Sequence, residues 1–175
     1  MWIFGYGSLI FRPGFEWLER RRAFVNGFAR RFWQGSPDHR GVPEAPGRVV
    51  TLVPREGTCG GCAYRIDPRG ADAILASLDA REQAGFVRTL VDLLDTPGGA
   101  PFARGLTWVA GAENRHFLGP LPEREIAAII GARRGPSGTN ADYALRLREA
   151  LRALDIVDEH VESIAEHLSS VGATA

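Results

Sequence analysis

The chain has 175 residues, a length typical of one domain, and we expect a single domain over residues 1–175. Its 21 basic and 21 acidic residues cancel, so no strong net field favours nucleic acid or an anionic membrane as a partner. Every basic residue is arginine, which excludes catalysis by a phosphate-loop lysine, a Schiff-base lysine or a Ser-Lys dyad.

The sequence lacks the marks of secretion and of membrane insertion. It opens with Met1-Trp2-Ile3-Phe4-Gly5, without the basic start of a signal peptide, and no stretch approaches the roughly 18 apolar residues of a membrane span. Two cysteines are too few for a disulfide-stapled secreted domain. We therefore expect a cytoplasmic protein with no membrane partner.

The first part of the chain alternates in the manner of β-strands. Residues 2–7 predict a strand that runs into a glycine turn, and residues 23–33 alternate again. Two further short strands are predicted over residues 48–54 and 61–66, separated by a turn at Glu56-Gly57.

Two polar features interrupt this alternation. The Gly/Pro-rich residues 34–47 predict a long ordered loop, and loops of that length in compact domains are often functional. The basic runs Arg20-Arg21-Arg22 and Arg30-Arg31 are typical of a solvated face or a strand edge.

A helix and two more strands follow. Asp67-Pro68 is a good N-cap and first-turn pair, and apolar residues at helical spacing from Ala71 to Leu78 predict an amphipathic helix that ends near Arg81-Glu82. Residues 86–94 and 105–109 are apolar, β-branched or aromatic enough to predict strands, with a turn at Pro97-Gly98-Gly99 between them.

The last third of the chain changes to helical periodicity. Helices are predicted after Pro122, after a cap at Thr139 or Asn140, and from Val157 to the C-terminal region. Strands first and helices late predict an α+β fold, with an antiparallel sheet or small barrel and a helical C-terminal third.

The first candidate for chemistry is the glycine turn Phe4-Gly5-Tyr6-Gly7-Ser8-Leu9. Glycines on both sides of Tyr6 let the backbone turn sharply and expose several N–H groups as a nest for a carboxylate or an oxyanion. A plain strand-to-loop turn is the alternative. The third glycine and the following helix of a dinucleotide-binding loop are missing, since Ile10-Phe11-Arg12-Pro13 follows.

The second candidate is Glu82, at the end of the predicted helix and just before Gly85. A carboxylate there can point into a cavity, where desolvation raises its pKa toward that of a useful base. The alternative is a surface glutamate paired with Arg81 or Arg88.

The third candidate is Cys59-Gly60-Gly61-Cys62. A zinc site needs two more ligands, and the sequence has no second C-x-x-C and no H-x-x-x-H. A redox pair normally opens a helix, whereas the residues after Cys62 predict a strand. We therefore interpret the motif as incidental and expect no metal, with redox or metal use as the alternative.

Taken together, several segments resemble the ChaC-like γ-glutamylcyclotransferases, in particular the glutathione-specific branch. The resemblance covers nearly the whole chain. Its motifs occur in one order: FGYGSLI (4–10), RRFWQGS (30–36), DHRGVP (38–43), PGRVVTL (46–52), LDARE (78–82), LGP (118–120) and GPSG (135–138).

The resemblance implies a mixed or antiparallel β-barrel core with flanking helices, and an enzyme that needs no cofactor. It implies that glutathione is cleaved to 5-oxoproline and cysteinylglycine, with Glu82 as the catalytic carboxylate. The implied γ-glutamyl-binding loop is Tyr6, Gly7, Ser8 and Leu9. We also expect Trp108 and Arg40 to bind the substrate, since the planar fork of arginine suits a carboxylate.

Three positions depart from the pattern of the family. Phe86, Trp108 and Phe117 stand where relatives commonly have tyrosine, which removes a phenolic hydroxyl and keeps an aromatic ring. Two alternative functions stay open at this point. One is cyclotransfer on other γ-glutamyl amino acids or amines, and the other is a non-catalytic γ-glutamyl-binding or regulatory module.

Overall fold

The protein, described by a computed structural model over residues 1–82 and 84–172, is built on a closed five-stranded barrel. The strand order is β1-β3-β2-β4-β5, in which β1 pairs with β5 in parallel and the other pairings are antiparallel. The strands are β1 (Trp2–Gly5), β2 (Glu19–Ser36), β3 (Gly47–Arg65), β4 (Val87–Leu94) and β5 (Pro101–Val109). The predicted α+β fold with a mixed barrel core is confirmed.

The predicted turn at Glu56-Gly57 is wrong, because β3 is one continuous strand where two were expected. Residues 55–57 stand opposite Gly27 alone, between the pairs Asn26–Thr58 and Phe28–Pro54. Gly27 and Gly57 have φ angles of 77° and 116°, which only glycine adopts readily. The extra residues therefore form a bulge, since β2 continues alongside β3 and keeps it paired.

The predicted loop over residues 34–47 is shorter than expected. Residues 34–36 are the last residues of β2, and Gly47 is the first residue of β3. The remaining residues turn tightly, with Val42 and Ala45 bonded to each other through both backbone amides. Strand β5 also begins earlier than expected, at Pro101.

Four helices follow or flank the barrel: α1 (Ala71–Arg81), α2 (Glu123–Ala132), α3 (Asn140–Arg152) and α4 (Glu159–Gly172). A short hairpin that the sequence did not predict, β6 (Arg134–Gly135) and β7 (Gly138–Thr139), lies between α2 and α3. No helix in the described part of the chain is long and apolar enough to cross a membrane.

The predicted helix starts are confirmed at two caps. The Asp67 carboxylate accepts from the amide of Arg69 in a short 3₁₀ turn that leads into α1, and the Thr139 hydroxyl accepts from the amide of Asp142. Val157 is an exception, because it is 77% exposed and precedes α4, so the predicted start of the C-terminal helix at Val157 is wrong.

The core has two parts. The larger one joins the barrel to α2, α3 and α4, and its members include Phe4, Phe32, Leu52, Tyr64, Ile126, Leu147 and Ile164. The smaller one packs Leu75 and Leu78 of α1 against Ile3, Ile66 and Trp108 of the barrel region. This second cluster fixes the C-terminal end of α1 against β1 and β5.

Arg30 corrects the expectation that both basic runs are solvated. Its side chain is fully buried and forms an ion pair of 2.7 Å with Asp158, just before α4. Its Nε also donates to the carbonyl of Tyr6 at 2.7 Å, and its Nη2 donates to the carbonyl of Gly60. Because a buried cation is costly unless it is paired, these contacts explain why the arginine is tolerated there. They also tie the backbone of the glycine turn to the helical layer.

A buried histidine joins α4 to the barrel and to α2. The Nε2 of His160 accepts from the amide of Phe32 at 3.1 Å, and its Nδ1 lies 3.0 Å from a carboxylate oxygen of Glu123. Accepting at Nε2 requires a neutral ring with its proton on Nδ1, which then donates to Glu123. Burial lowers the pKa of His160, and the hydrogen bond to Glu123 offsets part of that shift.

We predict that the free energy of unfolding falls as the pH drops below about 6.5, the ordinary pKa of histidine. Because the folded pKa of His160 is depressed, the unfolded chain binds more protons in this range, so stability is present above it and lost below it. Denaturant unfolding between pH 7.5 and 5 measures the effect.

In His160→Gln, stability at pH 7.5 should fall by about 1–3 kcal/mol, the typical cost of an unpaired buried polar group. Between pH 7.5 and 5, this variant should lose less stability than the wild type loses. His167→Gln, on the same helix, is the matched control and should keep the wild-type pH dependence. An unchanged pH dependence in His160→Gln would contradict the assignment.

Candidate active site

One cavity of about 350 Å³ opens between the glycine turn after β1, the C-terminal end of α1 and the chain after β2. That volume is in the range typical of small-molecule sites. All the predicted site residues line this cavity: Tyr6, Gly7, Ser8, Leu9, Arg40, Glu82 and Trp108. Residues that are far apart in the sequence are therefore brought together around one space.

The glycine turn continues into a single 3₁₀ turn, Ser8–Ile10. The amide of Ile10 donates to the carbonyl of Gly7 at 3.0 Å, and the amide of Arg12 donates to the carbonyl of Ser8 at 2.8 Å. The first amides of such a turn have no partner within it, so their N–H groups are available for another acceptor. A Cβ on Gly5 would lie 2.7 Å from the Cβ of Leu9, so this tight turn requires glycine there.

Tyr6 and Trp108 use their polar atoms to hold the walls of the cavity together. The hydroxyl of Tyr6 donates to the carbonyl of Trp108 at 2.6 Å. The indole N–H of Trp108 donates to the carboxylate of Asp79 on α1 at 2.9 Å. Both residues are buried, and what they offer to the cavity is aromatic surface.

Glu82 is the first residue after α1, where its amide still bonds to the carbonyl of Leu78 at 2.9 Å. Its side chain is only 19% exposed, and its Oε1 lies 3.7 Å from the Nε of Arg81. Arg88, the other partner considered from the sequence, donates instead to Asp79 at 2.8 Å. Glu82 is therefore a cavity residue and not a surface partner of Arg88.

Two opposing effects act on the Glu82 carboxyl. Burial is the larger and raises its pKa above the ordinary value for glutamate, and the carboxylate of Asp38 adds to the rise. The neighbouring charges of Arg81 and His39 lower the pKa and limit the shift. The site thus holds a carboxylate that is more basic than usual and is kept beside a cation.

Arg81 is a site residue that the sequence did not reveal. Its Nη2 donates to the hydroxyl of Ser8 at 2.7 Å, and its Nη1 donates to the carbonyls of Arg12 and Pro13 at 2.7 and 3.2 Å. Arg81 therefore links the glycine turn to the end of the helix that carries Glu82. Its position next to Glu82 in the chain was the only available signal.

Arg40 is buried and lines the same cavity. Its Nη1 donates to the carbonyl of Thr139 at 3.0 Å, and the same atom lies 3.6 Å from Asp142. Its guanidinium also lies 5.4 Å from the ring centroid of Tyr143. Tyr143 belongs to α3 and lines the cavity as well. Burial lowers the pKa of Arg40 somewhat, but arginine stays a cation in proteins.

The expected functional loop contributes further residues to the cavity. Asp38 and His39 line it next to Arg40, and the Nδ1 of His39 lies 3.1 Å from the hydroxyl of Ser137. These residues bring the chain after β2 to the same space as the glycine turn.

The two cysteines lie elsewhere, in β3. Cys59 and Cys62 are free and buried, and burial raises the pKa of both thiols. A raised pKa disfavours the thiolate that redox chemistry and metal binding require. Within residues 1–82 and 84–172, no three His, Cys, Asp or Glu side chains are grouped as metal ligands.

A family model described as ChaC-like protein matches residues 1–171. The chain belongs to the ChaC-like family. Among its relatives, γ-glutamylcyclotransferase 2-3 of Arabidopsis thaliana is 40% identical over 98% of this chain and 89% of the relative. Glutathione-specific γ-glutamylcyclotransferase 1 of the mouse is 41% identical over 98% of this chain and 79% of the relative.

The fold of this ChaC-like chain also matches a solved structure. The crystal structure of the yeast γ-glutamylcyclotransferase specific to glutathione superposes with a TM-score of 0.90 at 29% sequence identity. The match covers 97% of this chain and 96% of the yeast chain. The barrel with its helices is therefore the architecture of a cyclotransferase from the same family.

The three aromatic departures from the ChaC-like pattern lie in different surroundings. Phe86 lines the cavity, so a hydroxyl missing there is missing from the site. At position 108 an indole stands in place of a phenol, and its N–H donates to the carboxylate of Asp79. Phe117 packs edge-on against Trp33 at 6.3 Å between ring centroids and is not among the residues that line the cavity.

We predict that Arg81→Gln raises the pKa of Glu82 above its wild-type value. Removal of a neighbouring cation destabilises the carboxylate, while burial of the carboxyl remains. An NMR titration of ¹³C-labelled glutamate carboxyls, assigned with Glu82→Gln, measures the change. Arg69→Gln, which removes a 91% exposed arginine paired with Asp67, should leave the Glu82 titration unchanged. An unaltered or lower pKa in Arg81→Gln would contradict the pairing.

Proposed function

We propose that this chain is a glutathione-specific γ-glutamylcyclotransferase. It is a lyase that releases 5-oxoproline and cysteinylglycine from glutathione and needs no cofactor. The observation that carries the proposal is the shared cavity of Glu82 and the glycine turn, joined by Arg81. The names of the family relatives in mouse and yeast support the choice of substrate.

The reaction suits a site without a nucleophilic side chain. In a γ-glutamyl peptide the α-amine can reach its own γ-carbonyl carbon and close a five-membered ring. Because both groups are already tethered, their effective concentration is high, and the enzyme mainly selects the folded-back conformer. The aromatic walls formed by Tyr6 and Trp108 favour such a compact conformer by limiting the space for the extended one.

Glu82 handles the protons. A free α-amine titrates near about 8 and is mostly protonated at neutral pH, so it must lose a proton before it can attack. The raised pKa of Glu82 makes its carboxylate a stronger base, and Arg81 keeps that carboxylate ionised before the reaction. The protonated Glu82 then passes a proton to the departing amine nitrogen of cysteine as the amide bond breaks.

The glycine turn and Arg40 bind the anionic groups of the substrate. The backbone N–H groups of Gly7, Ser8 and Leu9 hold the glutamyl α-carboxylate, the developing oxyanion, or both, as donors that are fixed before the substrate binds. The guanidinium of Arg40 anchors a substrate carboxylate, for which its planar fork is suited. Each step is complete without a metal ion or a prosthetic group.

We also propose that the enzyme acts in the cytoplasm. Both cysteines are free and buried, which fits a reducing compartment in which glutathione keeps thiols reduced. The same compartment supplies the proposed substrate.

We predict that Glu82→Gln loses at least about a hundredfold in turnover of glutathione, the usual worth of a positioned base. Release of 5-oxoproline measures the rate. The melting temperature should not fall, because glutamine keeps the shape of the side chain and removes the need to bury a charge. Glu56→Gln, on an exposed bulge of β3, is the matched control and should keep wild-type turnover. Near-normal turnover in Glu82→Gln would remove this residue from the mechanism.

A further inference from the structure

Arg12 lies directly after the 3₁₀ turn, and its backbone is fixed on both sides. Its amide donates to the carbonyl of Ser8 at 2.8 Å, and its own carbonyl accepts from the Nη1 of Arg81 at 2.7 Å. Pro13 follows and restricts the chain further. The side chain of Arg12 lines the cavity and is exposed, so it projects from a rigid point at the cavity rim.

The guanidinium of Arg12 differs in its contacts from those of the other two cavity arginines. Arg40 and Arg81 also line the cavity, but they donate to carbonyls and to the hydroxyl of Ser8. Within residues 1–82 and 84–172, the guanidinium of Arg12 makes no hydrogen bond and no ion pair. An arginine fork without a protein partner is free to receive a ligand carboxylate in a bidentate manner.

The charges around the cavity favour an anion. Burial is the main cause that lowers the pKa of both Arg40 and Arg81, and repulsion from Arg12 adds a smaller part, so the three guanidinium groups lie close enough to interact. The acidic side chains that line the same cavity are Asp38 and Glu82. Arg81 lies beside Glu82 and Arg40 lies beside Asp142, so Arg12 is the cavity arginine whose charge a ligand carboxylate can neutralise.

The substrate of the proposed reaction offers two carboxylates, one at each end. The glutamyl carboxylate is the one at the reacting end, where the turn amides and Glu82 lie. The other carboxylate, on the glycine residue, lies at the far end of a tripeptide, roughly 10 Å away when extended. The exposed Arg12 side chain at the cavity rim is the cation that we expect this end of the substrate to meet.

We propose that Arg12 binds the C-terminal carboxylate of the substrate and thereby selects γ-glutamyl peptides with a free C-terminal carboxylate over γ-glutamyl amines, amides and esters. This inference rests on the proposed cyclotransferase function and specifies the substrate class of the same site. Because Arg12 is exposed, its contact is screened by water and moderate in strength, which also lets the departing cysteinylglycine leave.

The test compares glutathione with its glycine monoethyl ester, in which an uncharged ethyl ester replaces the C-terminal carboxylate. Initial rates of 5-oxoproline release are measured for the wild type, Arg12→Gln, Arg12→Lys and Arg55→Gln. Arg55 is the matched control, an exposed arginine on β3 that does not line the cavity. Thermal unfolding of each variant is measured alongside.

We expect Arg12→Gln to lower kcat/KM for glutathione about three- to tenfold, mainly through a higher KM, in line with one solvent-screened charged contact. The ester should be a poorer substrate for the wild type and should change less than about twofold in Arg12→Gln. Arg12→Lys should recover part of the preference for glutathione, and raised salt should reduce that preference. Arg55→Gln should match the wild type with both substrates.

Three results would overturn the inference. In the first, Arg12→Gln lowers kcat/KM equally for glutathione and for the ester. In the second, Arg12→Gln lowers kcat/KM for neither substrate. In the third, the wild type turns over the ester as fast as glutathione. The failure of the proposed function looks different, because the wild type would then release no 5-oxoproline from either compound.

Discussion

The site depends on keeping the Glu82 carboxylate away from water without losing its charge. Burial alone would favour the neutral acid, and a neutral acid cannot take a proton from an amine. Arg81, 3.7 Å away, opposes that effect and uses its other donors on Ser8 and on the backbone after it. The Arg81 side chain therefore favours the ionised form of Glu82 and also holds the glycine turn in position.

The barrel supplies the rigidity that this arrangement needs. The hydroxyl of Tyr6 and the indole of Trp108 connect the turn after β1, β5 and α1 in series, so hydrogen bonds link three walls of the cavity. On the other side, Arg30 holds the carbonyl of Tyr6 and reaches Asp158 near the C-terminal helix. A contact near the C-terminal helix therefore helps to fix the backbone of the glycine turn, the proposed substrate-binding segment.

Much of the fold could be predicted from local pattern, and the misses share a physical cause. Alternation located the strands, and the caps at Asp67 and Thr139 located helix starts. The sequence did not predict one continuous β3, because a glycine such as Gly57 is typical of a turn. In the structure β3 stays paired with β2 on both sides of Gly57, so this glycine lies in a bulge. Arg30 was expected in water because its partner Asp158 is 128 residues away.

For the candidate site too, the sequence identified single residues but not the contacts between residues that are distant in the chain. Sequence reasoning supplied Glu82, Arg40 and the glycine turn, and all of them line the cavity. It could not supply the role of Arg81, because the contacts with Ser8 and Pro13 form only when the turn and α1 meet in three dimensions. Nor could it show that the polar atoms of Tyr6 and Trp108 are occupied by protein partners.

The most direct test of the central claim is a crystal structure of the Glu82→Gln variant with glutathione bound. The account predicts the substrate α-amine nitrogen within about 3.2 Å of the side chain at position 82, with the amine placed over its own γ-carbonyl carbon. It also predicts the glutamyl carboxylate at the amides of Gly7, Ser8 and Leu9. A glutathione molecule whose amine points away from position 82, or which binds outside this cavity, would contradict the account.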